Sequence, residues 1–208
     1  MKQEALIPFN YFGPISIFGL AHQYPTQIEG QETYQKRSIR NQMSILSPNG
    51  IQKLSIPLKK GKNTLSINQV EIAYEEDWVR DHLRSITTAY QSSSYYDHYF
   101  YKIEGILNKR PQYLFDLNQM TLDLILTITG IEPPQKTETY TYCDDYQGFD
   151  HRIKNLKFEF KCPIYPQVFE HKFGFTPNLS ILDLLFNMGP EMISIIKASS
   201  ITFSEQRV

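Results

Sequence analysis

YQKRSIRNQMSILSPNGIQKLSIPL, residues 34–58, holds both the clearest structural signal in this 208-residue chain and a tight cluster of cationic side chains. The second half of the stretch decides the fold class. Two apolar-rich runs, residues 40–46 and 51–58, flank Ser47-Pro48-Asn49-Gly50, and a Pro-Asn-Gly turn between such runs predicts a β-hairpin. The first half packs Lys36, Arg37, Arg40 and the amide of Asn41 into six residues. If that part is extended too, Lys36, Ser38, Arg40 and Gln42 share one face, and Arg37, Ile39, Asn41 and Met43 share the other. The first face is wholly polar with two cations and suits a phosphate or carboxylate, which arginine grips with two parallel hydrogen bonds. A solvated strand face has the same pattern, so spacing alone leaves both readings open.

Upstream, residues 6–8 form a short apolar entry, and Asn10-Tyr11-Phe12-Gly13-Pro14 supplies the turn residues expected before a helix over 15–22. A short strand at 26–29 completes a small βαβ unit. Downstream, residues 59–63, Lys-Lys-Gly-Lys-Asn, read as a mobile loop, either simply solvated or, if placed close to Lys36 and Arg40, able to close over an anionic ligand. Residues 69–74 are a further strand candidate. A helix over 77–91 opens on Glu75-Glu76-Asp77, acids that the helix dipole favours, and gathers Trp78, Val79, Leu83, Ile86 and Tyr90 on one face. His82 falls on that face, which makes it either a hydrogen-bonded core histidine or a general base projecting into a cleft.

Two more helices are predicted, over 95–107 and over 114–129, the second closed by Gly130. The polar segment 131–148 reads as a strand or extended linker. Asp144, Asp145, Asp150, His151 and Arg152 lack metal-ligand spacing, and no metal or cofactor is expected. Ser180 starts a buried helix over 181–186 that stops near Asn187-Met188-Gly189-Pro190, with Asn178 fixing the turn before it. A short helix over 192–196 follows. The expected architecture is α/β: a mixed sheet from the N-terminal strands and the hairpin, packed by helices from the second half, in one domain over 1–208.

Composition narrows the function classes. Lys and Arg total 21 against 22 Asp and Glu, which argues against a nucleic-acid-tracking surface and leaves a local cluster for a small anionic ligand. Two cysteines, Cys143 and Cys162, make no disulfide framework and show no feature that activates a thiol, so a reduced, cytoplasmic protein is expected. Apolar runs at 122–128 and 181–186 fall far short of the ~18 residues of a membrane span. The 14 tyrosines and 13 phenylalanines fit a tyrosine-rich core or a wall for a sugar ring.

Several segments together resemble the WbqC-like family of bacterial proteins: I-P-F-N-Y-F-G-P at 7–14, Y-Q-K-R-S-I-R-N-Q at 34–42, the hairpin ending L-S-I-P-L, W-x-x-x-H at 78–82, and F-T-P-N-L-S-I-L-D-L-L-F-N-x-G at 175–189. The resemblance implies a role in surface-polysaccharide biosynthesis, as a transferase of an acyl or amino-acyl group to a nucleotide-linked amino sugar. The alternative is a non-catalytic protein of the same pathway that binds a nucleotide sugar or scaffolds an enzyme. Carried over by residue, it points to Asn10, Tyr11, Lys36, Arg37 and Arg40 for binding, His82 as base, and Asn41 as donor to an oxyanion. Many members carry a histidine just ahead of the Pro-Asn-Tyr residues, where this chain has Leu6-Ile7-Pro8-Phe9-Asn10-Tyr11. If that histidine is the family's base, either His82 has taken over its task or the chemistry is gone.

Overall fold

The computed structural model describes residues 4–59, 65–138, 149–150 and 158–203. Strand β1 (Ala5–Pro8), helix α1 (Ile15–Gln23) and strand β2 (Thr26–Glu29) form the expected βαβ unit, with Ala5 opposite Thr26 and Pro8 opposite Glu29 in a parallel ladder. Two-residue strands β5 (Gln135–Lys136) and β6 (Phe149–Asp150) extend it to a parallel sheet of order β5-β2-β1-β6. Parallel strands covered on both faces read as continuous apolar runs, and β1 is buried at all four positions. Helix α1 is buried from Ile15 to Leu20, because α7 (Met192–Ala198) and β8 (Ser200–Phe203) pack on the side away from the sheet.

The hairpin is β3 (Gln42–Ser47) and β4 (Gly50–Ser55), joined through Pro48 and Asn49. Ser47 closes the turn by donating to the Gly50 carbonyl at 2.8 Å, and Gly50 takes φ 102°, open to glycine at no steric cost. The α/β class stands. The hairpin, however, forms its own antiparallel sheet instead of joining β1 and β2, and β7 (Phe158–Lys161) pairs with β8 as a third. Residues 69–74 make a 3₁₀ turn, Ile67–Gln69, and isolated bridges at Glu71 and Ile72 in place of a strand.

Helices α2 (Trp78–Tyr90), α3 (Tyr96–Asn108) and α4 (Leu114–Thr129) pack in succession, and α6 (Ile181–Met188) wedges between α2, α3 and β3. Gly130 ends α4 in the left-handed region, φ 65°. Ser180 caps α6 by accepting from the Leu182 N–H. A one-turn helix, α5 (Glu170–Phe173), precedes it. The candidates Cys143, Asp144, Asp145, His151 and Arg152, and the loop at 60–63, lie outside the described residues.

Candidate functional site

The segments that carry the resemblance converge in one place. Asn10 closes the turn after β1: its Oδ1 accepts from the Gly13 N–H at 3.0 Å, and its Nδ2 donates to the Pro8 carbonyl at 3.2 Å. A Cβ on Gly13 would fall 2.3 Å from that Oδ1, so the site needs glycine. The Tyr11 N–H donates to the Ile39 carbonyl, which ties the turn to the basic stretch. From the C-terminal third, the Ile181 N–H reaches the Gly13 carbonyl and the Ser180 hydroxyl reaches the Phe12 carbonyl. Asn178, at φ 56°, accepts the Ser16 N–H at 2.9 Å. It thereby supplies the N-terminal cap that Pro14, with no side-chain acceptor, cannot give α1. The Ser180 N–H binds the Ser44 carbonyl and adds the hairpin to the knot.

Tyr11 and His82, both singled out from the sequence, meet inside this knot. The Tyr11 hydroxyl lies 3.0 Å from His82 Nδ1, with the residues 0% and 4% exposed. Trp78 packs edge-on against the imidazole, ring centroids 4.9 Å apart. Burial pushes the His82 pKa down to about 4, against the opposing influence of the nearby Ser55 backbone and the charge of Asp81. The hydroxyl and Nδ1 share one hydrogen bond, and which of them donates depends on the ring's tautomer. Tyr11 is itself held far above the usual tyrosine range, first by burial.

The basic stretch is not a strand. Residues 36–41 run as turns, with Arg37 at φ 54°, so the two alternating faces expected there do not form. Arg40 is 2% exposed, its Nε donates to Glu32 Oε1 at 2.7 Å, and its Nη2 donates to the other carboxylate oxygen. Asn118 holds the Arg40 carbonyl at 2.8 Å. The charge expected to meet a ligand thus meets Glu32, which the sequence reading passed over because it sits eight residues upstream with no periodic relation to Arg40. Asn41 is also buried, and its amide nitrogen donates to the Ile56 carbonyl at 3.1 Å. Lys36 and Arg37 face solvent.

A second constellation lies where the segments before residue 60 and after residue 69 meet the α3–α4 connection. An open cleft of about 510 Å³ is lined there by Lys59, Ile72, Tyr74, Glu75, Arg110 and Gln112. Lys59 pairs with Glu71 at 2.7 Å and Arg110 with Asp77 at 2.8 Å, all partly exposed. Among the described residues no group of His, Cys, Asp and Glu has the arrangement of a metal site, and no helix is long and apolar enough to cross a membrane. Cys162 is half-buried, and burial pushes its thiol up, away from the range of an activated nucleophile.

The WbqC-like family model matches residues 27–156 and 133–195, a span that contains the basic stretch, the hairpin, the Trp78–His82 motif and the Phe175–Gly189 motif. No curated protein and no solved structure matches the chain. With the family model covering most of its length, this chain belongs to the WbqC-like protein family.

Proposed function

We propose that this chain is a non-catalytic binding protein of surface-polysaccharide assembly, one that holds a nucleotide-linked sugar without transferring an acyl group to it. The observation that carries this reading is the Tyr11–His82 pair. A general base needs a nitrogen within reach of the proton it removes and a pKa near the working pH. His82 is 4% exposed, its Nδ1 is taken up by the Tyr11 hydroxyl, and burial pushes its pKa down to about 4. Arg40 is neutralised by Glu32, and the Asn41 amide nitrogen is turned to Ile56. Binding remains open to the exposed cations, Lys36 and Arg37 in the basic stretch among them. The pathway is the one that the resemblance to the WbqC-like family implies.

Calorimetric titration with nucleotide sugars, beside mass spectrometry of mixtures that also contain acyl-CoA or aminoacyl donors, tests the reading. Binding of a nucleotide sugar with no transferred product is the expected result. An acylated sugar made by the wild type and lost in a folded His82→Gln variant would restore the transferase reading.

A further inference from the structure

We infer that the cleft between Lys59, Tyr74 and Arg110 is the ligand site, and that the ligand is a sugar phosphate. The inference rests on the binder reading and adds to it a place and a chemical class. Three chain segments build the cleft, and backbone hydrogen bonds fix them together. The Lys59 N–H donates to the Glu71 carbonyl at 3.0 Å, the Ala73 N–H to the Pro57 carbonyl at 3.0 Å, and the Ile72 N–H to the Gln112 carbonyl at 2.9 Å. Its walls are therefore set before any ligand arrives, and its 510 Å³ falls in the range of small-molecule sites.

The lining chemistry selects the ligand. Tyr74 is braced by a ring stack on Trp78 and by its hydroxyl donating to the Pro111 carbonyl at 2.9 Å, and the Arg110 guanidinium lies over its ring, 5.8 Å from the centroid. A fixed aromatic beside a cation takes the apolar face of a ring with an anion next to it. Lys59 and Arg110 bring the positive charge to the cleft. Their present partners, Glu71 and Asp77, hold them in exposed pairs of the weak kind, which a phosphate oxygen exchanges with readily. Glu75 and Gln112 complete the lining with acceptors and donors for hydroxyl groups. The carboxylate of Glu75 also tells against a bare polyanion. A ring bearing hydroxyls with phosphate beside it, the sugar end of a nucleotide-linked sugar included, matches the two cations, the Tyr74 ring and the polar groups of Glu75 and Gln112. Arg110 is held at φ 47°, a backbone conformation that costs energy for a non-glycine residue.

Titration of the whole chain with N-acetylglucosamine 1-phosphate, with inorganic phosphate and free N-acetylglucosamine as comparators, tests the inference. The sugar phosphate is expected to bind more tightly than either part. Lys59→Gln and Arg110→Gln should each weaken it about tenfold, the scale of one charge-assisted contact, with melting temperatures unchanged. Tyr74→Phe should leave binding within about twofold while Tyr74→Leu weakens it, since the ring face and not the hydroxyl is in use. Lys197→Gln, on helix α7 and outside the cleft lining, serves as the surface-charge control. Equal binding by wild type and the cleft variants, with loss in a Lys36→Gln/Arg37→Gln double variant, would overturn the cleft and leave the binder reading standing. Failure of the wild type to bind any sugar phosphate or nucleotide sugar would overturn both.

Discussion

Two buried pairs decide what individual residues do here, and both respond to substitution in ways that separate structure from chemistry. Arg40 and Glu32 are each about 3% exposed at the side chain, and removing one ion of a buried pair costs about 3–5 kcal/mol, whereas an apolar replacement of both is often near neutral. Arg40→Met should therefore lower stability by about that amount in urea unfolding, and Arg40→Met/Glu32→Met should recover a large part of it. A ligand-binding arginine would give the opposite pattern, with little stability change and lost binding. Tyr11→Phe removes the hydroxyl hydrogen-bonded to His82 Nδ1 and should cost about 1–3 kcal/mol, the penalty of a buried polar group left without its partner. The sequence singled out Arg40 and His82 because a histidine on an apolar helix face and an arginine beside a hairpin are unusual. It did not reveal their partners. Glu32 and Tyr11 are brought in by turns whose conformations, Arg37 at φ 54° and Phe12 at φ 42°, no periodicity encodes.

At the scale of elements, what was legible was local. The hairpin announced itself by Pro48-Asn49-Gly50, α4 by its apolar face and Gly130, and α6 by Ser180. The pairing of β7 with β8 was not, since Phe158 meets Phe203 across some forty residues of intervening chain. Nor was the turning of residues 36–41, whose alternation suits a strand until the Glu32–Arg40 pair and the Tyr11–Ile39 hydrogen bond claim it. The end of α6 offers a test. Gly189 sits at φ 53°, and a Cβ there would lie 2.4 Å from the Tyr95 ring. Gly189→Ala should destabilise the protein by about 1–3 kcal/mol through backbone strain and overpacking together. Tyr95→Ala in the same chain should relieve the steric part, which a thermal-melt double cycle reads directly.

Over the whole molecule, two buried titrations oppose each other. His82 is held near 4 against an ordinary 6.5, so its contribution to stability is complete above pH 6.5 and is lost as pH falls through 4. Asp183 accepts from the Tyr165 hydroxyl at 2.7 Å and the Gln167 amide at 2.8 Å, with Tyr90 also facing it, yet burial raises it from 3.8 to about 6. Its contribution is complete below pH 3.8 and is lost as pH rises through 6. Each shift exceeds two pH units, on the order of 3 kcal/mol, and the signs are opposite across the same window. Between pH 4 and 6.5 the two should nearly cancel. His82→Gln should then make the melting temperature rise on acidification from pH 7 to 4.5, and Asp183→Asn should make it fall more steeply than in the wild type. The cap that Asn178 places on α1 has a consequence for how the chain is made. Ser16 waits for an acceptor 162 residues further on. At a synthesis rate of roughly 5–20 residues per second, that acceptor is translated roughly ten to thirty seconds after Ser16. Helix α1 therefore lacks this cap, and stays open to chaperones and proteases at that end, until residue 178 has left the ribosome.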